Sequence, residues 1–351
     1  MKARIHITGA SAISPQPSFD REALDGIAAY DAHPLHVIMP DIAGYVDPIR
    51  VRRMTRSNRM GLLAALNALK RAGIDSPGAI IAATGDGCKE SVERFLDNLI
   101  DSDEAIESPT AFIGSTHNSL AGLIALALKS NAYNYTYLQR GLSFPSALLD
   151  GLMQVGEEGV RHALVGAADV ITADFFRTHR ASGLWKERPV RNLDVLQSAD
   201  PGAIAGEGAA FFVLDSEPTA GSVELLGADA CFSIGDHDLG AHASSLLDPA
   251  GMATGSVDLV FLGLNGDQEE DRAYESARAL FPEATLACFK PLCGEYYTAN
   301  AFGLWMAWSA LRTGSVPPEV VLRGRSTGGF RTALVHDHFQ LKDHALMLLG
   351  R

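Results

Sequence analysis

Apolar residues in this chain fall into short continuous or alternating runs separated by breakers, and the periods of those runs predict an alternation of strands and helices. Residues 3–13 alternate apolar and small positions and stop at Ser14-Pro15, as a strand ending at a breaker does. Residues 16–47 are loop-rich, with Pro17, Pro34 and Pro40. Met60, Leu62, Leu63, Leu66 and Leu69 then form a helical stripe that ends at Gly73. Ala79 to Thr84 reads as a buried strand and Gly85, Asp86 and Gly87 as the turn after it; that turn is too short for a phosphate loop and is assigned no ligand.

The most informative stretch lies near the middle of the chain. Tyr135, Tyr137 and Leu138 make a short β-rich run, Gly141 breaks it, and Pro145 opens a helix in which Ala147, Leu148, Leu149, Leu152, Met153 and Val155 leave little polar face. His162 to Ala168 is a second apolar run, as expected of a strand buried on both faces. Together they make a βαβ unit whose turn faces the positive end of the helix, a place suited to a nucleophile. No nucleophile stands there.

Further on, Leu259 to Leu264 reads as an apolar strand ending in Asn265-Gly266-Asp267, and Thr298 to Leu311, with Phe302, Leu304, Trp305 and Trp308, as a buried core helix. Leu334 to Val335 and Ala345 to Leu349 predict a closing hairpin. His336, His338 and His344 are expected at its surface or edge, with no carboxylate or cysteine completing a metal site.

Composition narrows the classes. With 351 residues, 47% hydrophobic and 20% charged, the chain is long enough for one large or two closely joined domains, and disorder is not expected. No run reaches the length of a membrane span and the N-terminus lacks a signal-like apolar stretch, so a cytoplasmic location is expected. Cys88, Cys231, Cys288 and Cys293 form no CxxC pair or Cys/His spacing and read as reduced and mostly buried. A net charge of −13 argues against nucleic acid and against general attraction to acidic partners. One dense basic run, Arg50, Arg52, Arg53, Arg56 and Arg59, is either a local dock for an acidic partner or a phosphate group, or a solvated helix start.

The stretch from Thr136 to Asp169 resembles the nucleophile segment of the β-ketoacyl-acyl-carrier-protein synthases, members of the thiolase superfamily, in which Thr-x-x-Thr-x-Cys-x-Ser-Gly leads into a central helix and a strand ending in Gly-Gly-x-Glu. Thr136 at one end and Gly166 to Asp169 at the other place Gly141 at the catalytic cysteine and Ser143 at the next serine of the motif. Phe112, Ser115, Asn118, Gly122, Ile124, Ala125 and Leu126 match a further run of the family, which implies one helix over 111–128 at the subunit interface and the acyl tunnel, and Gly206-Glu207-Gly208-Ala209 resembles its Gly-Glu-Gly-Ala motif. Asn265 to Asp267 stand where the family has a His-Gly-Thr run, and Lys290 to Glu295 resemble its Lys-x-x-x-Gly-His, with Lys290 and Gly294 retained and Glu295 in place of the second histidine.

The resemblance implies a layered αβαβα thiolase-like fold built from two related βαβαβ halves, here residues 1–216 and 217–351. It implies no cofactor and no metal. It also withdraws the family's chemistry, because condensation needs a thiolate to hold the acyl chain and two imidazoles to stabilise the developing charge, and Gly141, Asn265 and Glu295 supply neither. The expected function is that of a chain-length-factor-like subunit, which pairs with an active synthase or with itself and shapes the acyl tunnel, the acyl carrier protein being met through the partner. Phe112, His117, Leu120, Tyr135 and Tyr137 are the residues expected at the interface and tunnel. The alternative is an active synthase or acyltransferase with a displaced nucleophile, Ser143 or Cys293.

Overall fold

The structure, a computed structural model, describes residues 4–42, 44–46, 54–104, 109–233 and 238–351. Its strands are β1 (His6–Ile13), β2 (Ala79–Ala83), β3 (Tyr133–Tyr137), β4 (His162–Asp169), β5 (Gly208–Asp215), β6 (Val223–Phe232), β7 (Leu259–Leu262), β8 (Thr285–Cys288), β9 (Val321–Arg323), β10 (Thr332–Phe339) and β11 (Asp343–Gly350). The helices are α1 (Arg56–Ala72), α2 (Lys89–Asp101), α3 (Pro109–Gly114), α4 (Ser119–Leu128), α5 (Ser143–Gly156), α6 (Ala173–Ala181), α7 (Leu239–Leu247), α8 (Gln268–Asp271), α9 (Glu275–Leu280), α10 (Lys290–Cys293) and α11 (Ala299–Thr313).

The strands lie in the order β3-β2-β4-β5-β1-β6-β11-β10-β7-β8-β9. The first five repeat in the second half once edge strand β9 is set aside: β3-β2-β4-β5-β1 and β8-β7-β10-β11-β6 each place third, second, fourth, fifth and first strands side by side. In both, the first three of these neighbours run parallel and the last two pairings are antiparallel. The duplication is thus plain in topology although the two halves share no visible sequence pattern. Within the sheet they meet at β1 and β6, where His6 pairs with Glu224 and Ile7 with Val223.

Helices α1 and α4 cover the outer face of the first sheet, α5 and α11 fill the space between the sheets, and α7 covers the second sheet's far side. This layering explains why β2, β4, β5, β10 and β11 read as nearly continuous apolar runs: both faces are covered. It also corrects the placement of the three histidines. His336, His338 and His344 are all buried, because β10 and β11 are interior strands of the sheet rather than a surface hairpin. Burial holds His336 near pKa 3 and lowers His338 and His344, so all three are neutral.

Local signals place the helices. Thr55 caps α1 by accepting from the Asn58 amide, and Gly73 closes it in the left-handed conformation. The single helix expected over 111–128 is two, α3 and α4. Ser115 and Thr116 donate back to the Phe112 and Ile113 carbonyls and end α3, since such hydroxyls compete with the helix ladder. The helix after Gly141 begins at Ser143, two residues before Pro145, which sits in its first turn.

Candidate active site

The turn between β3 and α5 carries the position expected of a nucleophile. Arg140 adopts φ +52° and so reverses the chain sharply ahead of Gly141. Gly141 is buried, and both of its backbone groups are engaged: its N–H donates to Asp343 Oδ2 at 3.1 Å, and its carbonyl accepts from Asn300 Nδ2 at 3.0 Å. A Cβ at Gly141 would lie 2.8 Å from the Cβ atoms of both Asp343 and Phe339, closer than van der Waals contact allows. The β10–β11 turn therefore occupies the space where a side chain would stand. Beside it, a cavity of about 10 Å³, bounded by Lys89, Asp169, Phe175, Tyr297 and Phe339 among others, has room for about one water.

Asn265 and Glu295, the residues that the motif match sets at the two histidine positions, belong to a buried ionic network. Lys290 Nζ lies 2.7 Å from Glu295 Oε2, 2.8 Å from Asp337 Oδ1 and 3.0 Å from the His338 carbonyl. Asn265 Nδ2 donates to Glu295 Oε2 and Glu270 Oε2, both at 2.8 Å, and its backbone N–H donates to Asp271. Tyr274 adds a hydroxyl 3.5 Å from Asp337. Burial raises the Glu295 carboxyl to about 8 and raises Asp337 as well. Burial alone lowers Lys290, but the Asp337 and Glu295 carboxylates more than reverse this and hold it above its ordinary value. Two carboxyls thus share one ammonium, and Glu295 keeps its proton near neutrality. Neither Asn265 nor Glu295 offers a neutral imidazole to an enolate or oxyanion.

The displaced-nucleophile candidates are both engaged. Ser143 Oγ accepts from the Gln139 amide and donates to the Arg140 carbonyl, each at 2.7 Å, so it serves as a turn cap. Cys293 is fully buried, and burial holds its thiol well above the ordinary range; Lys290, expected beside it as an activating charge, is turned to Glu295 and Asp337.

Two sequence motifs have become structural ties. Asp169 accepts from Thr84 Oγ1, the Gly85 amide, and both the amide and hydroxyl of Thr298, joining the two halves; burial raises it to about 6 against those hydrogen bonds. Glu207 accepts from Arg56 Nη2 at 2.6 Å and from the Val37 and Ile171 amides. Arg56 is therefore an internal partner rather than a docking charge, and Arg50, Arg52 and Arg53 lie outside the described residues.

The interface candidates divide. Phe112 (60% exposed) and Tyr135 (50%) stand open with Ile113, Tyr133 and Leu138, and His117 is exposed beside them. Tyr137 is half-buried against the central core. Leu120 faces the chain's own core, 7% exposed and packed over Gly61 of α1, because α4 turns that side inward. Asp343, Phe339, Asn300 and Asp337 carry no motif that marks them in the sequence; the one signal is an aspartate inside the apolar run of β10.

Comparison with known proteins bears on the fold. Residues 31–199 match the family model described as the β-ketoacyl synthase N-terminal domain. Solved structures with the same fold include the ishigamide ketosynthase/chain length factor, with TM-score 0.85, 19% identity, and 100% of this chain and 99% of that chain covered. They also include a β-ketoacyl synthase from Burkholderia phymatum STM815, with TM-score 0.78, 13% identity and both chains covered in full. A third is a ketosynthase in complex with its chain length factor from Xenorhabdus doucetiae, with TM-score 0.77, 15% identity, and 99% and 98% covered. No curated protein sequence matches the chain. The fold is the thiolase-like ketosynthase fold, and the resemblance to the β-ketoacyl synthases read from the sequence holds.

Proposed function

We propose that this chain, which has the ketosynthase fold and similarity to the β-ketoacyl synthases, is a non-condensing subunit of chain-length-factor type. It pairs with an active β-ketoacyl synthase and shapes that partner's acyl tunnel in fatty-acid, polyketide or polyene biosynthesis. The division at residues 216 and 217 and a cytoplasmic location belong to the same reading, as does an acyl carrier protein met through the partner. Among the described residues no helix is long and apolar enough to cross a membrane.

The observation that carries the proposal is the closed position at Gly141. Loss of a cysteine alone would leave room for an acyl group; here Phe339 and Asp343 fill the space. The second support is an uncovered lateral face. Edge strand β3 shows Tyr133 and Tyr135, α3 shows Phe112 and Ile113, and α5 shows Met153, an apolar patch of the kind that a partner covers. The displaced-nucleophile alternative finds no free hydroxyl at Ser143 and no accessible thiolate at Cys293.

The test is intact-mass analysis of the purified protein with acyl-loaded carrier protein, alone and with a Cys-His-His ketosynthase co-expressed. Acyl mass is expected only on the ketosynthase, within a stable pair. Stable acylation of this chain that disappears in Ser143→Ala or Cys293→Ala would overturn the proposal.

A further inference from the structure

Of the residues around the cavity beside Gly141, only Asp86, Gly87, Lys89 and Tyr297 reach the surface; the others, among them Phe175, Trp185 and Phe339, are buried. The turn after β2 and the first residue of α2 therefore stand at its mouth. Four aromatic rings follow one another inside: Trp185 lies 6.4 Å from Phe175, Phe175 6.0 Å from Tyr297, and Tyr297 4.6 Å from Phe339. Phe339 is also the side chain whose Cβ stands against Gly141.

Lys89 reaches into this set of rings. Its ammonium lies 3.5 Å from the centre of the Phe175 ring and is ion-paired to Asp86. His179 stacks on the same ring at 3.8 Å and so holds it in place. A cation on an aromatic face with a carboxylate beside it is the pair of contacts by which a protein selects an organic ammonium group. The helix gives no reason for a lysine here. Lys89 opens α2, whose N-cap Cys88 makes no side-chain capping bond, and a positive charge in a first turn opposes the helix dipole. The contacts that offset this cost are those to Phe175 and Asp86, with Glu93 nearby on the same helix.

The space left inside is about 10 Å³, so the lysine fills the pocket instead of bordering an open one. One wall is unlike ordinary core: the Trp185 indole N–H is buried without a hydrogen-bond partner among the described residues, where a site built for packing alone would supply one. We propose that this pocket is an ammonium site whose occupant is the chain's own Lys89, a tethered plug that shuts the Gly141 side from solvent and whose removal leaves a site for a small primary alkylammonium ion. The Gly141 side is then closed twice, from within by Phe339 and from the mouth by Lys89. This inference does not depend on the pairing reading.

Tryptophan fluorescence tests it, because Trp185, Trp305 and Trp308 are the chain's three tryptophans, all are buried, and only Trp185 borders the pocket. In Lys89→Ala the acrylamide quenching constant is expected to rise about twofold or more, since truncation leaves a cavity beside that indole. n-Propylammonium, which restores the atoms removed, is expected to reverse the rise and to raise the melting temperature of the variant, whereas 1-propanol is not. The wild-type chain should respond to neither, because Lys89 already holds the place. Adding Asp86→Asn to Lys89→Ala is expected to abolish the rescue. Lys89→Met, which keeps the volume and loses the charge, is expected to melt below the wild type. Unchanged quenching in Lys89→Ala, equal rescue by 1-propanol, or rescue that survives Asp86→Asn overturns the inference. A Lys89→Met chain that melts at or above the wild type overturns it as well, even where Lys89→Ala does not fold.

Discussion

Gly141 shows how much a single missing side chain can decide. The register fixed by Thr136 and by Gly166 to Asp169 locates the residue, but the meaning of the glycine comes from its neighbours: Phe339 and Asp343, from a turn far along the chain, stand against its Cα. Restoring a thiol there is therefore not expected to restore chemistry. Gly141→Cys should destabilise the fold by about 1–3 kcal/mol, as overpacking of a closed site does, and the introduced thiol should take up no acyl group. Thermal unfolding and intact-mass analysis check the two parts; an acylated, undiminished variant would show that the β10–β11 turn moves aside.

At the scale of elements, the informative difference is between α3 and α4, which the motif match joins into a single interface helix. The break at Ser115 to Asn118 lets the two helices face different ways. Phe112 on α3 points to the open side while Leu120 on α4 enters the core over α1. Leu120→Ala is accordingly expected to cost about 2–5 kcal/mol as a buried truncation. Phe112→Ala should leave the stability of the chain nearly unchanged, preserve the pair and lengthen the partner's products, since each two-carbon unit needs only modest apolar volume. Denaturant titration and product analysis of the pair separate these outcomes, and an unchanged product distribution with Phe112→Ala would remove that side chain from the tunnel.

At the scale of the whole molecule, Glu295, which the motif match sets at a histidine position, holds the halves together. The Glu295 amide donates to the Ile204 carbonyl and its carbonyl accepts from the Gly206 amide, while its side chain joins Lys290 and Asn265. Because burial raises the Glu295 carboxyl from 4.5 to about 8, the folded chain holds a proton that the unfolded chain has released. That contribution to stability is fully present below the unfolded value and is lost as pH rises through the folded one. Asp169, raised to about 6, acts with the same sign over a lower window. The buried histidines, lowered from their ordinary value, oppose this below about pH 7, so the melting temperature is expected to fall between about pH 7 and pH 8, and Glu295→Gln, which cannot release a proton, should flatten that fall. Identical slopes for the two proteins between about pH 7 and pH 8 would place the retained proton elsewhere.

Local pattern determined most of the elements. Strands β2, β4 and β7 and helices α1, α5 and α11 arise from apolar runs, breakers and caps that act within a few residues, and Gly141, Asn265 and Glu295 were legible as departures from a motif for the same reason. The pairing of distant positions was not. Burial of His336, His338 and His344 depends on β10 and β11 lying inside the sheet, and a strand's place in its sheet is set by long-range hydrogen bonding that no local period encodes. The closing of the Gly141 site by Phe339 and Asp343, the Lys290–Glu295–Asp337 network and the inward turn of Leu120 likewise arise only when separate segments pack together. The sequence by itself placed a glycine at position 141, just ahead of the buried helix; the tertiary structure decided that the space beside it is filled, because volume and buried charge are shared among residues that are neighbours only in space.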